Sequence, residues 1–262
     1  MSEPLITYQL DGAIALIGLN RPDKRNAIND PLIDELRAAV LRAHEEADVA
    51  VLFGHGSNFC AGLDLAEALA RATGQIKAPR KRKRHNWHEV FDLIARGPIP
   101  FVAALHGAVV GGGLELAMAA HVRVCDDTAL FGLPEGQRGI FVGGGGTVRI
   151  QRVVGTTVMM DMMLTGRLLT PAEGLQEHVV RYVTPAGEAL TKARELAARI
   201  GKNSLDTNWM IINVLPRIHD MSHDDGLFVE QLNSARARPP EAEARLREFV
   251  DGKAKKLQDN QA

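Results

Sequence analysis

The composition of this 262-residue chain excludes several classes of protein. Hydrophobic residues make up 45% and charged residues 24%, which is typical of a globular protein with a full core. A formal net charge of -1 gives no overall field that would attract nucleic acid or an anionic membrane. Residues 1–10 lack the basic start and apolar run of an export signal, and no stretch of about 18 apolar residues occurs. We therefore expect a cytoplasmic protein that has neither nucleic acid nor a membrane as a partner.

The cysteines do not suggest a structural role. The chain has only Cys60 and Cys125, which lie far apart without the spacing of metal ligands or of a disulfide framework. The histidines also show no spacing that demands a metal. We expect no metal site and a reducing compartment.

Apolar patterns and turn signals predict strands that alternate with helices up to about residue 185. Ala13 to Leu19 and Val49 to Gly54 are apolar runs that resemble buried strands. Between them, Asp30-Pro31 is typical of an N-cap followed by a first-turn proline. The helical stripe that follows consists of Leu32, Leu36, Ala39, Val40 and Ala43. This alternation predicts an α/β core over residues 1–185.

The second half of the chain adds a glycine turn and then helices. Phe101 to Leu105 is a predicted strand, and the glycines after it lead into a helix that begins near Gly112. Thr170-Pro171-Ala172-Glu173 is a capping box with proline at the first helical position. Beyond Pro185 the pattern is mostly helical, with helices predicted at about 187–200, 204–218, 224–235 and 240–256. We expect residues 186–262 to form a helical region that packs between subunits.

Two glutamates twenty positions apart indicate the chemistry. Glu115 falls on the first turn of the helix that follows three glycines, and Glu135 follows a Gly-Leu-Pro sequence. A helix start has unpaired N–H groups, and Gly112 offers one with no side chain in the way. A donor for a developing negative charge, together with two carboxylates, predicts proton transfer beside a carbonyl group.

Other interpretations of these motifs remain open at this level. A glycine-rich turn before a helix also occurs in phosphate-binding loops, although these glycines lack the dinucleotide spacing and Gly143 to Gly146 lacks the P-loop lysine. Glu115 could simply stabilise its own helix by placing a negative charge near the positive end of the helix dipole, and Glu135 could be a surface carboxylate. The basic run from Lys77 to Arg84 could be a solvated loop or a binding site for phosphate groups.

Four motifs, in order, carry a resemblance to a known family. They are Leu19-Asn20-Arg21-Pro22 with Asn26-Ala27-Ile28-Asn29, Phe59-Cys60-Ala61-Gly62-Leu63-Asp64-Leu65, His106-Gly107 through Gly111-Gly112-Gly113-Leu114-Glu115-Leu116, and Phe131-Gly132-Leu133-Pro134-Glu135 with Gly143 to Thr147. Over about residues 5–185 the chain resembles the crotonase, or enoyl-CoA hydratase/isomerase, family. The resemblance implies a spiral of ββα units, a C-terminal helical region that forms homotrimers or homohexamers, an acyl-CoA thioester as substrate, and no metal or redox cofactor.

The resemblance also implies roles for particular residues. The backbone N–H groups of Leu63 and Gly112 would form the oxyanion hole, and Glu115 and Glu135 would be catalytic. The positions that match the coenzyme A site are Arg25, Ala27, Ala61, Asp64 and Leu65. Four further residues could line an acyl pocket, although plain core packing explains each of them at least as well: Trp87, Phe91, Phe141 and Met162. Lys253, Lys255 and Lys256 could reach a neighbouring subunit's phosphates, although solvated lysines on a terminal helix explain them better.

The presence of both glutamates favours a hydratase that adds water to a 2-enoyl-CoA. Such an enzyme would act in the breakdown of fatty, branched or aromatic acids. In this family, isomerases often keep only the carboxylate that matches Glu135, so an enoyl-CoA isomerase is the alternative. A non-catalytic oligomer that binds acyl-CoA or RNA is a third possibility. Many hydratases have proline where this chain has Val142, which bears on the acyl group more than on the reaction class.

Overall fold

The computed structural model describes residues 3–76, 86–236 and 240–252. The strands are β1 (Ile6–Asp11), β2 (Ile14–Leu19), β3 (Val49–Gly54), β4 (Phe101–Leu105), β5 (Ala108–Val110), β6 (Val122–Asp126), β7 (Leu130–Gly132), β8 (Leu168–Leu169) and β9 (Tyr182–Thr184). The helices are α1 (Asp30–Glu46), α2 (Leu65–Ala72), α3 (Asn86–Arg96), α4 (Gly112–Ala117), α5 (Gly146–Thr165), α6 (Pro171–Gln176), α7 (Ala189–Ile200), α8 (Leu205–Ile218), α9 (His223–Arg236) and α10 (Pro240–Val250). The basic run from Lys77 to Arg84 and the lysines at 253, 255 and 256 lie outside the described residues.

The chain divides into two compact units, Met1–Lys202 and Asn203–Ala262. Helix α7 lies in the first unit because its apolar side chains pack with those of β2, β3, β4 and β6. The first unit therefore extends beyond the boundary at residue 185 that the sequence predicts. In the second unit, α8 and α9 contact each other.

A six-stranded sheet with the order β1-β2-β3-β4-β6-β9 runs through the first unit. Only the β1–β2 pair is antiparallel, and the remaining neighbours are parallel. Parallel strands are normally covered on both faces. Here α1 covers the end of the sheet that contains β1 and β2, and α7 packs on β3, β4 and β6. All five residues of the predicted apolar stripe on α1 are buried.

A smaller sheet with the order β5-β7-β8 lies beside the first. The units β4-β5-α4 and β6-β7-α5 each place one strand in the large sheet and the next in the small sheet. Strand β4 pairs in parallel with β6, and β5 pairs in parallel with β7. Successive ββα units are therefore stacked with the same orientation. The sequence prediction missed β5, because three residues are too few to show an alternating pattern.

Local signals placed most element ends correctly. The capping box of α6 is present, since the Thr170 side chain accepts from Glu173 N at 3.3 Å and Glu173 Oε2 accepts from Thr170 N at 2.8 Å. The N-cap of α1 is Asn29 rather than the predicted Asp30, because the Asn29 side chain accepts from Leu32 N. Among the described residues, no helix has the length and apolar character needed to cross a membrane.

We expect Thr170→Ala to lower the free energy of unfolding by about 1 kcal/mol, because it removes an N-cap side chain and one half of the capping box. Urea denaturation followed by circular dichroism measures this change. Thr157→Ala, at an exposed position within α5, is the matched control. Equal stability of the Thr170 and Thr157 variants would show that the box contributes nothing.

Candidate active site

Two turns from different parts of the chain meet at the start of α4. Cys60 N donates to Ala108 O at 2.9 Å, and Val110 N donates to Cys60 O at 3.1 Å. This bridge holds the turn that contains Gly62 against the turn that contains Gly112. A Cβ atom on Gly62 would lie only 3.1 Å from Gly112 N, and Gly62 has a φ of +86°, so a side chain there would be strained.

A cavity of about 250 Å³ opens at this junction. Its wall contains both predicted oxyanion positions, Leu63 and Gly112, and both predicted catalytic glutamates, Glu115 and Glu135. The other lining residues are Ala61, Leu65, Trp87, Gly111, Arg138, Ile140, Phe141 and Gly143. Gly112 is the first residue of α4, where an amide N–H has no partner within the helix. The cavity thus combines a helix-start amide with two carboxylates in a largely apolar wall.

Backbone amides hold Glu115 in place. The residue is 2% exposed, and its Oε1 atom accepts from Gly144 N at 2.7 Å and from Gly146 N at 2.8 Å. Gly146 is the first residue of α5, so the carboxylate lies at the positive end of that helix. Glu115 does lie on the first turn of α4, as predicted, but its carboxylate accepts a hydrogen bond from the first residue of α5, a different helix.

Glu135 has a contrasting environment. The residue is 5% exposed, and its Oε2 atom is buried with no hydrogen-bond partner among the described residues. Burial raises the pKa of Glu135, and the neighbouring Glu115 raises it further, whereas Arg138 opposes the rise. A buried carboxyl with a raised pKa and an unpartnered oxygen is suited to exchange a proton with a bound molecule.

The structure divides the predicted acyl-pocket residues into two pairs. Trp87 and Phe141 line the cavity. Phe91 and Met162 do not, because both are fully buried in the hydrophobic core. Phe91 lies behind the wall, with its ring centroid 5.9 Å from that of Trp87.

Two further residues of the wall were missed at the sequence level. Arg138 and Ile140 belong to the turn that follows Glu135 and line the cavity with it. Their nearness in sequence to Glu135 was the only available signal. Nothing in the pattern indicated which side chains of this turn face inward.

The predicted coenzyme A residues lie around the same turn but have different surroundings. Ala61 and Leu65 line the cavity, whereas Arg25 and Ala27 do not. The exposed Arg25 supports the turn through its carbonyl oxygen, which accepts from Ala61 N at 2.9 Å. Asp64 is the N-cap of α2 and forms an ion pair with Arg21 at 3.1 Å.

In the described ranges, no group of three or more His, Cys, Asp or Glu side chains is arranged to hold a metal ion.

Comparison with known proteins identifies the family. The sequence profile of the enoyl-CoA hydratase/isomerase family matches residues 9–233. The chain belongs to this family. It is 35% identical over 225 residues to "Probable enoyl-CoA hydratase 2, mitochondrial" of Arabidopsis thaliana, covering 85% of this chain and 73% of the relative. It is 30% identical over 258 residues to "Probable enoyl-CoA hydratase echA8" of Mycobacterium bovis, covering 97% and 98%.

Solved structures agree with this assignment. A candidate enoyl-CoA hydratase from Rhodopseudomonas palustris superposes with a TM-score of 0.86 at 41% identity, covering 97% of each chain. An enoyl-CoA hydratase from Bacillus anthracis superposes with a TM-score of 0.85 at 25% identity, covering 95% of this chain and 96% of that one. The predicted crotonase-like α/β fold with a C-terminal helical region is confirmed.

The environment of Glu135 predicts a gain of stability when its charge is removed. Because its pKa is raised in the folded state, the folded protein loses stability as pH rises through that pKa. We expect Glu135→Gln to raise Tm at pH 7 to 8. This difference should shrink as pH falls toward 4, where the glutamate is neutral as well.

Differential scanning fluorimetry across this pH range measures the difference. Glu188→Gln, at an exposed position, is the matched control and should show no pH-dependent gain. A Glu135→Gln variant that is less stable than the parent at pH 8 would contradict the expected cost of the buried charge.

Proposed function

We propose that this protein is a hydratase that adds water across the double bond of a 2-enoyl-CoA thioester. The observation that supports this most is the single cavity whose wall contains Leu63, Gly112, Glu115 and Glu135. Membership of the enoyl-CoA hydratase/isomerase family supports the substrate class. The coenzyme A is part of the substrate, and the proposed reaction needs no separate cofactor.

In the proposed mechanism, the N–H groups of Leu63 and Gly112 bind the thioester oxygen. Donors placed at a developing oxyanion stabilise the transition state and make the β-carbon electrophilic. A water molecule between Glu115 and Glu135 attacks the β-carbon, and an enolate forms.

The two glutamates divide the proton transfers in this proposal. Glu115, whose Oε1 is fixed by two amide donors, orients and polarises the water. Glu135, whose raised pKa makes it a better base, takes a proton from the attacking water and then gives a proton to the α-carbon of the enolate. Hydroxyl is added at the β-carbon and hydrogen at the α-carbon, and each glutamate ends in its starting state.

An isomerase that moves the double bond is the alternative reaction. It would need only Glu135 as a proton shuttle, and the unpartnered Oε2 atom fits that role. Purified protein should be given crotonyl-CoA, longer 2-enoyl-CoAs and 3-enoyl-CoAs. Loss of the absorbance of the conjugated thioester supports hydration. If only 3-enoyl-CoA reacts, and conjugation is gained, the hydratase assignment is wrong.

We expect Glu115→Gln and Glu135→Gln each to lower kcat for hydration by about 10²- to 10⁴-fold, because each removes a group that handles a proton or the attacking water. Binding of a saturated acyl-CoA, measured by calorimetry, should change little. Glu188→Gln is again the control.

Full activity of the double glutamine variant would overturn the site assignment. A non-catalytic acyl-CoA or RNA binder predicts the opposite pattern, in which the glutamine variants keep their function and neutralising Lys77 to Arg84 abolishes it.

We also propose that the protein acts in the cytoplasm as a homotrimer or homohexamer that assembles through its C-terminal helices. Large apolar side chains are exposed on α8 and α9 of the second unit, including Trp209, Leu215 and Phe228. Exposed apolar patches of this kind are typical of association surfaces. Light scattering coupled to size-exclusion chromatography should give three or six copies of the 28.5 kDa chain, and a monomer would contradict the proposal.

A further inference from the structure

The amides that hold Glu115 belong to a segment with no side chains of its own. The glycine loop, residues 143–146, contains four successive glycines, and glycine has more backbone freedom than any other residue. Gly145 has a φ of +95°, a conformation that other residues rarely adopt. The loop therefore needs contacts from outside to keep the N–H groups of Gly144 and Gly146 aimed at Glu115.

Arg149, on the first turn of α5, makes such a contact. Its Nη1 atom donates to Gly144 O at 3.0 Å, and its Nη2 atom forms an ion pair with Asp92 of α3. The Arg149 side chain is 17% exposed, and a Cβ atom on Gly145 would overlap its guanidinium. The guanidinium therefore lies against the glycine loop, where its planar fork binds the loop and α3 at once.

Gly144 is thus held from both sides. Its N–H group donates to Glu115, and its C=O group accepts from Arg149. The connection continues from Asp92 along α3, which also carries Trp87 into the cavity wall. An unbroken series of contacts therefore runs from α3, through Arg149 and the glycine loop, to the carboxylate of Glu115.

We propose that Arg149 is a positioning residue for Glu115 and acts, with Asp92 as its anchor, by holding the glycine loop. This role rests on the proposed hydration reaction, because Glu115 orients the water in that reaction. Arg149 does not line the cavity and is not expected to contact the substrate. Its loss should therefore affect kcat and leave KM almost unchanged.

The first test is the kinetics of Arg149→Met, which keeps an apolar stem but removes both contacts. Misplacement of a catalytic group by about 1 Å can cost about 100-fold in rate, so we expect kcat to fall about tenfold to 100-fold while KM stays within about twofold. Arg149→Lys keeps the positive charge but lacks the planar fork, so it can bind either Gly144 O or Asp92 but not both at once. This variant should recover part of the lost kcat. Asp92→Asn should show a smaller loss of the same kind.

Arg37→Met is the matched control. It removes a different ion pair of α3, between Arg37 of α1 and Glu89, at 3.0 Å. Within the described part of the chain, neither Arg37 nor Glu89 forms a hydrogen bond or an ion pair with the glycine loop. If Arg37→Met lowers kcat as much as Arg149→Met does, the effect belongs to the placement of α3 in general and the proposal fails.

A double-mutant cycle with Glu115→Ala tests whether Arg149 acts through Glu115. If it does, Arg149→Met should lower kcat little or not at all in the Glu115→Ala background, because the carboxylate that Arg149 positions is absent there. Equal fold losses in both backgrounds would overturn the proposal.

An amide readout separates failure of this proposal from failure of the proposed function. In ¹⁵N-glycine-labelled protein, the amide resonances of Gly144 and Gly146 should move in Arg149→Met toward their positions in Glu115→Ala. If the parent hydrates no 2-enoyl-CoA, the proposed function fails, but these shifts still decide the positioning role. Unmoved Gly144 and Gly146 resonances in Arg149→Met would overturn it whatever the reaction.

Discussion

The site depends most on the parallel pairing of β5 with β7. In this register Val110 lies opposite Gly132, and Gly111 N donates to Gly132 O at 2.8 Å. The chain leaves both strands at the same edge, so the start of α4 and the turn that carries Glu135 emerge side by side. A shift of register would separate them, because successive residues of a strand point to opposite faces. The two carboxylates therefore face one cavity as a consequence of how two ββα units stack.

The site is also costly to the fold. Glu115 is nearly fully buried but has two amide donors, which offset the loss of water. Glu135 is nearly as buried and has an oxygen without a partner. Unsatisfied buried carboxylates destabilise a folded protein, and they are found where a reaction uses them. The buried core of parallel strands and covering helices stabilises the fold and offsets the cost of this site.

The residues of the site differed in how far they could be predicted. The family resemblance predicted roles for Leu63, Gly112 and the two glutamates, and the structure brings all four to one cavity wall. For Phe91 and Met162 the sequence left pocket lining and core packing open, since an apolar residue in the core and one in a cavity have the same sequence pattern, and the structure buries both in the core. Arg138 was missed because its pattern does not show which side chains of the turn after Glu135 face the cavity, and Arg149 was missed because folding alone brings it near Asp92.

By itself, the sequence determined the α/β class, the apolar face of α1, the capping box of α6 and the order of the family motifs. Hydrophobic periodicity, caps and turn residues are local, so a single chain displays them directly. Only the tertiary structure decided that α7 belongs with the large sheet, that β5 exists, and that Glu115 caps the helix that begins 31 residues further along the chain. These features arise from contacts between distant segments, whose energies depend on the packed arrangement and leave no periodic trace in the sequence.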